Sequence, residues 1–318
     1  MESQKLSVYA SQRFRESIKC EWRKESMALH TLQSGALRVT ISDFGAELQE
    51  IVDIATERSY LWYGDSAYWG RRSPVLFPIV GSLKNKEYEY NSKTYSMSQH
   101  GFARDMEFTL TDHNEDTIWF ELKANEDTLA KYPFRFKLEV GYQLTGRDIK
   151  VMWKVTNEDK KEMFFSIGGH PAFMCPVDGQ GAQTDYYLLF DNEKDLTYSK
   201  LSTNGLVETE GLPLKTKGGV MPIAEHLFDE DALIIEGKQA HKVSLAGADK
   251  KPYLTVSFEA PLFGIWSPAK KHAPFICIEP WYGRCDKESF DGSLADREYG
   301  TELRPGKVFE ASYTISCN

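Results

Sequence analysis

The chain reads as an all-β protein, a large antiparallel β-sandwich, on three observations. Apolar and polar residues alternate with period two in many short runs, the pattern of strands with one buried face. Turn residues stand between the runs, while helical periodicity over three or more turns is hard to find. Composition allows the large core such a fold needs, with 41% of residues hydrophobic and 13% aromatic.

The runs follow in order. Leu37, Val39 and Ile41 alternate with Arg38 and Thr40, and Ile118, Phe120 and Leu122 with Trp119 and Glu121. Ile149, Val151, Trp153 and Val155 alternate with Lys150, Met152 and Lys154. Just before them Gly146-Arg147-Asp148 predicts a hairpin turn. Leu254, Val256 and Phe258 alternate with Thr255 and Ser257, and Phe309, Ala311, Tyr313 and Ile315 close the chain in the same way. Short helices are expected only near 126–132 and 223–228. No Gly/Ser linker, low-complexity tract or fixed-period repeat divides the chain. Residues 26–318 are therefore expected to form a single catalytic domain. Residues 1–25 are polar and charged without alternation, an N-terminal extension of unknown role: a flexible arm, a helix or an added tail.

Several function classes are disfavoured. The formal charge is −9, and no Lys/Arg cluster with interleaved aromatics occurs, so no nucleic acid is expected as a partner. The apolar runs are too short to span a bilayer, and residues 1–24 hold no apolar h-region. The five cysteines, Cys20, Cys175, Cys277, Cys285 and Cys317, are widely spaced, odd in number and form no C-x-x-C, as expected of reduced thiols in a cytoplasmic protein. Oligomeric state has no sequence signal.

Three segments carry candidate chemistry. They are Gln99-His100-Gly101-Phe102-Ala103-Arg104, Gly168-Gly169-His170-Pro171-Ala172-Phe173 and Ile278-Glu279-Pro280-Trp281. Imidazole suits proton transfer near neutral pH. A carboxylate beside Pro280 and Trp281 is partly desolvated, which raises its basicity. An aromatic face such as Trp281 also suits a sugar, whose C–H face stacks while its hydroxyls hydrogen-bond. Gly168 and Gly169 would let the backbone approach a ligand closely. Each residue also has a plainer reading: His100 as a surface or structural histidine, His170 as part of a tight turn, Glu279 as the partner of Arg284 or Arg104. Arg71, Arg72 and Arg104 could bind hydroxyls or a phosphate, and Asp231 follows Phe228 in a short acidic stretch. Two histidines and a carboxylate could also form a facial metal triad, but no carboxylate lies two residues after either histidine, which disfavours metal. No cofactor motif of the P-loop or G-x-G-x-x-G type occurs.

These segments, with Ile41-Ser42-Asp43-Phe44-Gly45-Ala46-Glu47-Leu48 and Arg72-Ser73-Pro74-Val75-Leu76-Phe77-Pro78-Ile79-Val80-Gly81, resemble the aldose 1-epimerase (galactose mutarotase-like) superfamily, and most nearly its LacX-type branch. The resemblance runs from about residue 27 to the C-terminus. It implies a β-supersandwich with a sugar cleft across one sheet, and a mutarotase needing no cofactor. It implies that Glu279 acts as general base on the C1 hydroxyl and His170 as general acid on the ring oxygen, with His100 hydrogen-bonding the substrate nearby. A sugar or sugar phosphate would be the small-molecule partner. The chain departs from standard galactose mutarotases, which carry Gly-Arg-x-x-Asn-Arg-Ile where Gly70-Arg71-Arg72-Ser73-Pro74 stands here, and Asn-x-Thr-x-His where Ser166-Ile167-Gly168-Gly169-His170 stands. The shell around the sugar is therefore altered. Hexose-6-phosphate 1-epimerase and a non-catalytic carbohydrate-binding module on the same fold are the alternatives.

Overall fold

A computed structural model describes residues 28–318 apart from Gln180. The expected extension over residues 1–25, and Cys20 within it, lie outside the described residues. Two antiparallel sheets dominate the rest. One has nine strands, in the order Val220–Pro222, Tyr187–Phe190, Lys242–Ala246, Pro252–Phe258, Val308–Cys317, Asp148–Asn157, Phe136–Thr145, Thr117–Lys123 and Thr109–His113. The other has eight, with Leu262–Trp266, Phe275–Tyr282, Ile167–Gly169 and Val75–Leu76 as successive neighbours, and Ala172–Met174 also paired to Phe275–Tyr282.

The alternating runs become these strands because each has one apolar face to bury. Ile149, Val151, Trp153 and Val155 are fully or almost fully buried, as are Leu254, Val256 and Ile315. They share one core with Phe263, Ile265, Ile276 and Ile278 of the eight-stranded sheet, so the inner faces of both sheets pack together. The expected hairpin joins Phe136–Thr145 to Asp148–Asn157, which stay in register along their length, with Gly146 at φ +60° in the turn.

One short helix forms where expected, Glu126–Lys131, because Asn125 caps it: its side chain accepts the Thr128 N–H while Thr128 Oγ1 accepts the Asn125 N–H. The second expected helix is absent. Residues 223–228 form turns leading to Asp231, whose φ is +76°. The apolar residues Ile223 and Phe228 are buried from an irregular backbone, so burial needs no helix here. Cys175, Cys277, Cys285 and Cys317 are buried free thiols. No helix among the described residues is long and apolar enough to cross a membrane.

Candidate active site

One strand supplies the floor of the site. Within Phe275–Tyr282, Ile276 and Ile278 point into the core, so Cys277, Glu279 and Trp281 project from the opposite face. Glu279 is thus an interior residue of this strand, four residues after its start. It sits opposite Gly264 of strand Leu262–Trp266, and Trp281 sits opposite Gly168. A Cβ on Gly264 would lie 2.6 Å from Trp281 Cη2, and one on Gly168 would lie 2.5 Å from Trp281 Cδ1. A Cβ on Gly169 would lie 2.8 Å from the Tyr313 hydroxyl. The expectation that Gly168 and Gly169 make room for a ligand is therefore corrected: the room is taken by Trp281 and Tyr313.

His170 leaves the end of strand Ile167–Gly169, its N–H donating to the Pro74 carbonyl at 3.1 Å. Its Nε2 lies 3.2 Å from Glu279 Oε2. The two atoms are close without the alignment of a hydrogen bond, and Glu279 Oε2 and His170 Nδ1 have no hydrogen-bond partner. The imidazole stacks on Trp69 with ring centroids 4.8 Å apart and meets Trp266 edge-on at 5.5 Å. The Trp69 segment is itself held in place. The Trp62 indole donates to the Trp69 carbonyl at 2.9 Å, and Lys271 Nζ reaches the carbonyls of Ala67 and Tyr68 at 3.2 and 2.9 Å.

His100 comes from a distant turn. Its own φ is +67° and that of Gly101 is +72°. A Cβ on Gly101 would lie 2.2 Å from the Phe77 carbonyl oxygen, so only glycine fits there. The Gly81 N–H donates to His100 Nδ1 at 3.1 Å, while the His100 N–H donates to the Gly81 carbonyl at 2.9 Å. With Nδ1 accepting, the neutral ring carries its proton on Nε2. The His100 and His170 rings are 5.6 Å apart and nearly perpendicular.

His100, His170, Glu279, Trp281, Arg104 and Asp231 all line one cleft of about 1210 Å³, with Trp69, Trp266, Lys200, Lys270 and Lys271. The cleft exceeds the roughly 300 Å³ expected for a small-ligand site. Arg71 and Arg72 are not among its lining residues. Arg71 pairs with Asp105 at 2.8 Å and also reaches the Arg104 carbonyl, while Arg72 donates to the Gln49 carbonyl at 2.8 Å. Arg104 donates to the Gln99 carbonyl at 2.7 Å and keeps a buried Nε without a partner. Arg284 is turned toward Glu236, Glu210 and Glu298, so neither it nor Arg104 pairs with Glu279.

The electrostatics follow from burial. Loss of water holds the Glu279 carboxyl well above the ordinary carboxylate range, Asp231 adds like charge, and the Trp281 indole N–H opposes the shift. Burial pushes His170 down to about 3, helped by the positive charges of Arg104 and Arg71. His100 is lowered for the same reasons, burial first and then His170, Arg104 and Arg71. The resting site thus favours neutral imidazoles beside a reluctant carboxylate, a pair that can pass one proton between its members.

The aromatic wall of Trp69 and Trp266 escapes sequence reading, because nothing local tells a cleft tryptophan from a core one. Glu47 escapes it too: buried, it accepts the backbone N–H groups of Arg72 and Ser73 at 2.9 and 2.8 Å and pins the segment that carries Pro74 to His170.

A family model described as aldose 1-epimerase matches residues 28–316. The chain belongs to the aldose 1-epimerase family. Within this family it is 32% identical over 294 residues to protein LacX (chromosomal) of Lactococcus lactis subsp. lactis, a match covering 90% of this chain and 98% of that one. Among solved structures it resembles a galactose mutarotase related enzyme from Lactobacillus acidophilus, with a TM-score of 0.87 and 35% identity over 92% of this chain and 97% of that one. A galactose mutarotase-like protein from Lactobacillus casei ATCC 334 gives a TM-score of 0.86 and 31% identity over 92% of this chain and all of that one. The large antiparallel sandwich of this epimerase-family chain is therefore the galactose mutarotase-like fold, in its LacX-type branch.

Proposed function

We propose that the protein is an aldose 1-epimerase that interconverts the α and β anomers of a free hexose. The observation that carries this reading is the contact of His170 with Glu279, 3.2 Å apart on the floor of a cleft roomy enough for a sugar. Anomer exchange needs one proton removed from the C1 hydroxyl and one delivered to the ring oxygen. Both oxygens are bonded to C1, so base and acid must be neighbours. Glu279, as carboxylate, takes the hydroxyl proton while His170, as imidazolium, protonates the ring oxygen. The ring opens to the aldehyde, and the pair becomes carboxylic acid and neutral imidazole, the forms that burial favours. Rotation about C1–C2 presents the other carbonyl face. Closure returns both protons by the same route. His100, with its proton on Nε2, donates to the sugar near the ring oxygen, and Trp281, Arg104 and Asp231 contact the ring substituents.

The reading is tested by anomer exchange, followed by polarimetry or by NMR magnetisation transfer over a panel of aldoses. Glu279→Gln should fold and bind sugar yet lose about 10²-fold or more of turnover, because the amide cannot accept a proton. Wild-type exchange in that variant would remove Glu279 from the base role. Sugar binding with no exchange by the native chain would favour a carbohydrate-binding module. One acid and one base suffice for the chemistry, so turnover should survive exhaustive chelation unchanged. Loss of exchange that a divalent metal restores would sink this account.

A further inference from the structure

We propose that His170, Cys277 and Glu279 form a binding site for a thiophilic divalent cation, zinc above all, and that its occupancy silences the acid/base pair. The inhibition rests on the function proposed above, whereas the site itself does not. The ligand atoms of the three residues lie within 4.8 Å of one another, and all three residues are buried. They meet for a simple reason. Cys277 and Glu279 are two residues apart on one strand and share a face. The register that sets Ala172 opposite Cys277 brings the chain just after His170 alongside them.

The geometry suits a tetrahedral ion. His170 Nε2 and Glu279 Oε2 are 3.2 Å apart, close to the edge of a tetrahedron with zinc–nitrogen and zinc–oxygen bonds of about 2.0–2.1 Å. The Cys277 sulfur has to close by roughly an ångström at most to complete that face with a zinc–sulfur bond of about 2.3 Å. Two further observations point to a ligand. Glu279 Oε2 is buried without a hydrogen-bond partner, although a lone pair there is costly to leave unused. His170 and Glu279 also line the cleft, through which an ion and its water can reach them. Imidazole, thiolate and carboxylate together select zinc over magnesium.

The proton balance is explicit. Binding converts the Cys277 thiol to thiolate, and its proton leaves to the buffer. Where Glu279 is protonated, that proton leaves too, and His170 binds through the neutral Nε2 lone pair. With both groups on the ion, neither can carry a proton to or from C1.

The test titrates the full-length, tag-free chain with zinc chloride, cobalt chloride and magnesium chloride. It reads calorimetric binding, the near-ultraviolet thiolate-to-cobalt band and anomer exchange in parallel. Zinc should bind with one equivalent at this site, exchange should fall in step with occupancy and return on chelation, and magnesium should do nothing. Cys277→Ala should keep exchange, lose the cobalt band and weaken zinc inhibition by roughly tenfold or more. Cys277→Ser, closer in volume, serves if alanine impairs folding. Equal zinc affinity in the native and Cys277 variants would overturn the proposal and reduce the binding to surface groups such as His226 with Asp229, 3.0 Å apart. An absent cobalt band would overturn it as well. The two readings fail separately: an inactive chain that still shows the Cys277-dependent band loses only the epimerase, and an active chain indifferent to zinc loses only the metal site.

Discussion

Burial acts on Glu279 and His170 in opposite directions along the pH axis. The folded chain holds the Glu279 carboxyl above its ordinary 4.5, keeping a proton that the unfolded chain gives up. The stability this lends is full below about 4.5 and is lost as pH rises through the raised folded value. His170, pushed from 6.5 to about 3, does the reverse, and its contribution is lost as pH falls through that window. Between the two ordinary values the effects offset one another, and above about 6.5 only Glu279 still acts. Glu279→Gln removes that burden. The variant should melt at a higher temperature than the native chain near pH 8, by a margin that shrinks toward about pH 4. A melting temperature at alkaline pH equal to or below the native value would show that the carboxylate carries no burial cost. At this scale His100, His170 and Glu279 could be singled out from sequence, because imidazoles beside glycines and a carboxylate inside an apolar run are locally conspicuous. Trp69 and Glu47 could not. Their roles depend on which distant backbone they meet, and local composition does not encode that.

Trp281 is positioned by glycines on the two strands that flank its own. The contact at Gly264 involves the far end of the indole, which can tilt, whereas the contact at Gly168 also meets the Pro280 carbonyl at 3.2 Å. Gly264→Ala should therefore fold, with a modest loss of stability from overpacking of about 1–3 kcal/mol. It should also displace the Trp281 ring beside Glu279. The expected reading is a kcat/KM for anomer exchange that falls well beyond what the shift in Tm explains. Unchanged kcat/KM would mean that the ring position is irrelevant to the reaction. Strands were largely legible because period-two alternation records which face is buried, as in Asp148–Asn157 and Val308–Cys317. The segment 223–228 misled because three apolar residues at helix-like spacing are also what a buried turn requires. Strand partners were not legible, since Phe275–Tyr282 pairs with Ile167–Gly169 across more than a hundred residues of intervening chain.

The charge of the whole molecule and that of its cleft bear on substrate choice in the same sense. The chain is acidic overall, at −9, which slows the approach of a dianion at low salt. Within the cleft the lining carboxyl groups are Glu208, Asp229, Glu230, Asp231, Glu279 and Glu288, against the cations Arg104, Lys200, Lys270 and Lys271. Lys200 is already engaged by Glu230 at 2.9 Å and by Glu208 at 3.9 Å, and Lys271 by two backbone carbonyls. Arg71, grouped with Arg104 as a candidate ligand in the sequence, is paired with Asp105. A phosphate would therefore meet Arg104 with little support from a second arginine, and bidentate clamping by two guanidinium groups is what makes such sites selective. A neutral hexose, by contrast, finds carboxylates to accept from its hydroxyls and indoles to cover its C–H face. Free hexoses should accordingly be turned over with a higher kcat/KM than their 6-phosphates. Glucose, galactose and both 6-phosphates, compared in one buffer at low and high salt, measure the preference directly. Arg104→Ala should lower kcat/KM for all four sugars by a similar factor if Arg104 serves ring hydroxyls. A preference for the 6-phosphates that collapses selectively in Arg104→Ala would instead make this chain a hexose-6-phosphate epimerase, with Arg104 as its phosphate anchor.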